Sequence, residues 1–138
     1  MDTLEAKLAQ AHQFHKKGFN CAQAAMLPFC GELGIDPLTA KRALEGFGAG
    51  MGAMAQACGA LSAAVFAAGL VHSDTELECP ASKKETYDVC KTLCSNFESA
   101  CGSCVCKELK GIDTGKPLTP CPVCIDTGVK LIYKMLEK

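Results

Sequence analysis

The chain has 138 residues, 49% of them hydrophobic, and a formal net charge of -1. That length suits a single domain, residues 1–138, with a real core, and the balanced charge predicts a globular protein rather than a disordered one. No basic patch stands out, so the electrostatic footprint of a nucleic-acid binder is missing and nucleic acid is not an expected partner.

Eleven cysteines are the anomaly. The opening Met-Asp-Thr-Leu-Glu-Ala-Lys is a charged amphipathic segment and not a signal peptide, so a cytoplasmic location is expected. In that setting, cysteine at this density points to metal, an iron–sulfur cluster or thiol redox chemistry rather than a disulfide framework. The odd count also rules out complete intramolecular pairing.

In chain order, the first predicted helix runs from about Thr3 to Lys17, with Thr3 as cap and Leu4, Leu8, Ala11 and His15 on one face. His15 reads first as an imidazole in the last turn, where a helix dipole favours cations, and second as a ligand. His12 and His72 carry no supporting pattern. Asn20 with Gln23 three residues on is a capping box, which opens a second helix and puts Cys21 in its first turn. A thiol there faces the positive end of the dipole, so an exposed Cys21 is expected to ionise near pH 7–8, roughly a unit below the usual value. Pro28 bends or shortens this helix, Gly31 to Gly34 ends it, and Cys30 reads as a small buried hydrophobe. Asp36-Pro37 starts the third helix.

The stretch Gly46 to Val71 contains no Lys, Arg, Asp or Glu. It predicts a central helix buried on every side, with Cys58 inside it and Met54, Leu61, Ser62, Val65 and Gly69 sharing its face. Its Ala and Gly content gives little drive into lipid, so a membrane span is not expected. The glycines at 46, 48, 50 and 52 lack the preceding strand that a dinucleotide loop needs, and read as a tight turn between helices. A loop at Ser73 to Ser82 leads to a helix over about Lys83 to Ala100, where Tyr87, Cys90, Cys94, Phe97 and Cys101 form one stripe. The last helix begins at Cys121-Pro-Val-Cys124. No segment alternates apolar and polar residues at length, so the expected fold is all-α, a bundle of about six or seven helices.

Three cysteine chemistries compete. Cys101, Cys104, Cys121 and Cys124 give C-x2-C-x16-C-x2-C, inside the spacing of structural zinc sites. Cys121-Pro-Val-Cys124 alone, at a helix start, is a dithiol redox motif without the βαβ context of thioredoxin-like proteins. An iron–sulfur cluster is the third, held by thiolates that meet only in the fold.

A resemblance narrows the choice. Gly18-Phe-Asn-Cys21-Ala-Gln-Ala, Gly48-Ala-Gly-Met-Gly52, Cys58-Gly-Ala-Leu-Ser-Ala63, Gly102 to Cys106-Lys-Glu-Leu, and Cys121 occur in the order of the redox-active family named for its motif, C_GCAxxG_C_C. Laid on that name, Ala57 and Ser62 stand where it has Gly, and Gly59 where it has Ala. The family is similar to the non-haem part of split-Soret cytochromes, a helical fold with an iron–sulfur cluster. The resemblance therefore implies Cys21, Cys58, Cys106 and Cys121 as ligands of an iron–sulfur cluster, in a protein that transfers electrons or senses redox state with a redox partner protein. The alternatives are metal-free thiol–disulfide exchange by the same four residues, or a zinc domain drawing on Cys101, Cys104 and Cys124. A site spanning a homodimer is left open, and no acid–base pocket predicts an enzyme.

Overall fold

A computed structural model describes residues 1–137. The helices are α1 (Leu4–Lys16), α2 (Cys21–Met26), α3 (Cys30–Leu33), α4 (Pro37–Leu44), α5 (Gly59–His72), α6 (Lys83–Cys101), α7 (Cys106–Lys110) and α8 (Cys121–Leu136). A 3-10 turn at Leu27–Phe29 joins α2 to α3, so the two run on as one bent rod around Pro28. Counted that way there are seven, and the chain is all-α as its periodicity predicts. Among the described residues strand-type pairing is confined to one antiparallel bridge between Ala57 and Val105.

Local chemistry explains most boundaries. The Thr3 hydroxyl accepts the Ala6 N–H at 3.2 Å and starts α1. Asn20 and Gln23 form both halves of the capping box, at 2.9 and 3.0 Å. Asp36 caps α4 with Pro37 in its first turn. Gly34, at φ 68°, takes the left-handed conformation that ends α3.

α5 is the centre of the bundle and packs against α2, α6 and α8. Gly59, Ala60, Leu61, Ala63, Ala64, Ala67 and Ala68 are buried along it. The small residues let neighbouring backbones approach: a Cβ on Gly128 of α8 would stand 2.7 Å from the Ala60 carbonyl oxygen. Phe29, Phe97, Met26, Leu44, Ile125, Ile132 and Val129 fill the rest of the core and are fully buried. Lys7, only 2% exposed, ties α1 to the bent rod. Its ammonium donates to the Pro28 carbonyl at 2.6 Å and to Glu32 at 2.7 Å. No described helix is long and apolar enough to cross a membrane.

The central element differs from the expectation in two respects: it is not buried on every side, since Leu70 and Val71 are exposed near its end, and it starts later. Helix α5 begins at Gly59, with Cys58 at its cap, and not at the glycine stretch. Residues 49–53 and Ala55 all have positive φ, four of them non-glycine: Ala49, Met51, Ala53 and Ala55. The chain thus winds left-handed before the helix starts. Met54 is 70% exposed on this loop and shares no face with Leu61. The stripe on α6 is also shorter than its spacing suggests: Phe97 and Cys101 are buried, Cys90 and Cys94 half-buried, and Tyr87 exposed.

Two glycines separate packing from propensity. Gly128→Ala should destabilise the fold by about 1–3 kcal/mol through overpacking against Ala60, less whatever alanine adds to helix propensity. Gly69→Ala in α5 meets nothing within 4 Å. It should gain up to about 1 kcal/mol from propensity alone. Thermal unfolding of the two variants should move Tm in opposite directions.

Candidate thiol site

Four cysteines stand at helix starts. Cys21 is the first residue of α2, Cys106 of α7 and Cys121 of α8, and Cys58 caps α5. All four line one cavity of about 200 Å³, and Cys124, one turn into α8, joins them. That volume is several times the roughly 30 Å³ share of one water in the liquid. Ala49, Gly59 and Leu109 complete the apolar wall, and His15, Asn20, Lys110 and Thr119 supply its polar groups.

The left-handed loop shapes this cavity. Its amides close long turns on themselves: Gly52 N–H to Gly46 O at 2.6 Å and Gln56 N–H to Gly50 O at 2.8 Å. It is also tied to the segment before α7. Cys58 N–H donates to Cys104 O at 2.9 Å, Cys106 N–H to Gln56 O at 2.6 Å, and Lys107 N–H to Ala55 O at 3.0 Å. Gly50 sits inside this junction, where a Cβ would fall 2.7 Å from the Cys106 Cβ. Gly59 has the same role beside α2, because a Cβ there would overlap the Cys21 sulfur.

The thiols are not evenly spread. Cys21 and Cys124 both lie close enough to Cys58 to shift its ionisation, giving a run of three neighbouring thiols. Among the described residues no three His, Cys, Asp or Glu side chains converge as ligands of a single ion do. The backbone amides of Ala22 and Ala49 favour the Cys21 thiolate, and the Ala60 amide favours that of Cys58. N–H groups aimed at sulfur are how proteins tune thiolate-held clusters.

The expected ionisation of Cys21 is reversed. The adjacent Cys58 thiol, burial and the nearby Cys58 charge push the Cys21 pKa well above the ordinary 9.0, against the lowering effect of the two amides. The Cys58 thiol is pushed up to about 12, first by the adjacent Cys124 thiol and then by burial, while Cys21 and the Ala60 amide oppose the shift. Burial raises Cys106, and the Lys110 ammonium holds it back. The dipole argument failed because it treated Cys21 as exposed and alone.

The other thiols separate from this group. Cys101 and Cys104 do not line the cavity, so the C-x2-C-x16-C-x2-C set is divided between two places. Cys101 instead donates to the Thr127 hydroxyl at 3.3 Å, and Cys104 to the Cys94 carbonyl at 3.3 Å. Cys30 is buried, as expected of a small hydrophobe, and Cys79 is exposed. His15 lies in the last turn of α1 and also lines the cavity. Sequence reasoning did not place Lys110 or Thr119 in the site. The three-residue step from Cys121 to Cys124 on a helix was the available signal for Cys124, since residues three apart share a face.

Residues 19–135 match the family model described as "Putative redox-active protein (C_GCAxxG_C_C)". No curated protein and no solved structure gives a match.

Two measurements on metal-free protein check the electrostatics. At pH 7 iodoacetamide should label the exposed Cys79 long before Cys21 or Cys58, as read by peptide mass spectrometry. The stability of the fold should also depend on Cys58. The unfolded chain ionises this thiol near 9.0 and the folded chain only near 12. Its contribution is therefore present below pH 9 and is lost as pH rises from 9 to 12. Tm should fall across that window less steeply in Cys58→Ser than in the unsubstituted protein.

Proposed function

The chain belongs to the C_GCAxxG_C_C family of redox-active proteins, and we propose that its redox centre is an iron–sulfur cluster held in the cavity by Cys21, Cys58, Cys106 and Cys121. One observation carries this reading: all four family cysteines stand at helix starts that open onto one cavity. Each of these helix starts places the positive end of a helix dipole near its cysteine, which favours an anion. Soft thiolates in an otherwise apolar, amide-lined pocket suit an anionic cluster.

A cluster bound there would supply one-electron transfer, with its potential set by burial and N–H···S bonds. The residues have distinct parts in this reading. Cys21 and Cys58 hold it from the buried side, where the amides of Ala22, Ala49 and Ala60 favour their thiolates. Cys106 and Cys121 hold it from the two helices that follow the left-handed junction. Lys110 offsets negative charge beside Cys106, and His15 lines the same cavity. A redox partner protein in the cytoplasm takes or gives the electron, and no acid–base step is needed.

A second reading rests on the run of three neighbouring thiols. Neighbouring thiols can convert to a disulfide by giving two electrons and two protons to an external disulfide, which is reduced to two thiols. Cys58 would then pair with Cys21 or Cys124 without metal. The separation of Cys101 and Cys104 from the cavity favours both readings over the zinc set.

Purification without oxygen distinguishes them. Protein with a cluster should be brown, with broad visible absorbance, iron and acid-labile sulfide. Cys58→Ser should abolish the colour, while Cys30→Ser and Cys124→Ser keep it. Colourless, iron-free protein after anaerobic reconstitution would overturn the cluster and leave the dithiol reading.

A further inference from the structure

Five cysteines belong to the cavity, Cys30 to the core and Cys79 to an exposed loop. The other four, Cys90, Cys94, Cys101 and Cys104, gather around α6. Cys90 and Cys94 are one turn apart, so they share a face. Together with Lys91 they line an open groove on the surface. Helix α6 ends at Cys101, and Gly102 at φ 92° reverses the chain, a conformation that favours glycine. The reversal lays Cys104 back on the helix, where its thiol donates to the Cys94 carbonyl at 3.3 Å. Cys101 is 3% exposed and occupied by Thr127, whereas Cys94 and Cys104 are both half-buried and reach solvent. Cys94 is fixed on a helix, and Cys104 lies in the irregular stretch between α6 and α7.

We propose that Cys94 and Cys104 form a second redox dithiol, outside the cavity, that exchanges with a small anionic peptide disulfide. Lys91 lines the groove beside Cys94 and attracts an anionic partner on that side, whereas Glu98 carries the opposite charge near Cys104. One of the two thiolates attacks the external S–S bond, forms a mixed disulfide and releases one partner thiolate, which takes up a proton. The second thiol then loses its proton and attacks the mixed disulfide, releasing the other partner thiol. One S–S bond has formed between Cys94 and Cys104, and two electrons and two protons have reduced the partner to two thiols. This chemistry needs no metal and does not depend on the contents of the cavity.

Oxidised glutathione is a suitable probe of that class. The full chain is incubated with it under anaerobic conditions, quenched in acid, alkylated and cleaved after Glu98, which separates Cys94 from Cys104 unless a disulfide joins them. The expected result is a Cys94–Cys104 linked peptide as the main intramolecular product. Cys94→Ser should abolish the link and trap glutathione on Cys104, and Cys90→Ser should leave its yield unchanged. A main product joining Cys90 to Cys94 or Cys101 to Cys104 would overturn the proposal. So would glutathione found on Cys79 alone, or a link whose yield falls as far in Cys90→Ser as in Cys94→Ser.

Discussion

The backbone junction between residues 55–58 and 104–107 is the constraint on which the site depends. Three hydrogen bonds, from Cys58, Cys106 and Lys107, bring two distant segments together and set the starts of α5 and α7 side by side. The loop leading into the junction is costly in isolation. A left-handed conformation disfavours each non-glycine residue by about 1–2 kcal/mol. Four such residues persist because the loop bonds to itself and to the segment before α7. Strain of this kind is found where surrounding structure over-determines the backbone, and functional sites are the usual places. Here it turns the Ala49 amide toward the Cys21 sulfur and leaves Cys58 at the mouth of a helix rather than within one.

Inside the cavity, magnitudes decide which effect governs the thiols. A helix terminus stabilises a nearby anion by about 0.3–2 kcal/mol. Raising Cys58 from 9.0 to about 12 corresponds to about 4 kcal/mol in the opposite sense. Burial and thiol neighbours therefore outweigh the dipole, and the metal-free site holds neutral sulfur. In the cluster-bound form we propose, the thiols would have to lose their protons to bind, so occupancy of the cavity would be coupled to proton release.

Much of this architecture was legible in the amino-acid sequence, and the limits were physical. Capping residues such as Thr3, Asn20 with Gln23, and Asp36 act within one turn, so they mark helix starts without tertiary information. The four cysteines carried by the family motif do come together around one cavity. What the sequence hid was chirality and partnership. Glycine at every second position from 46 to 52 is compatible with either hand, and the loop's own hydrogen bonds together with its partners at 104–107 select the left-handed path. The same holds for Cys21, whose local dipole is visible but whose neighbour Cys58 is not. Cys101 and Cys104 match a zinc spacing, yet the reversal at Gly102 sends them to α6 instead.

The bridge between Ala57 and Val105 also bears on the order in which the molecule assembles. The contacts that helices α1 to α4 make among themselves are close in sequence, and such contacts form early because little loop entropy is lost in closing them. Ala57 can find Val105 only after α5 and α6, which lie between them, have folded back on each other. Two of the four helix starts that carry thiols are set at that step, so the site is a late product of folding. A chain still on its way to the native state carries eleven thiols without a cavity to sort them, and the pairing of Ala57 with Val105 marks the point at which Cys58 and Cys106 become neighbours.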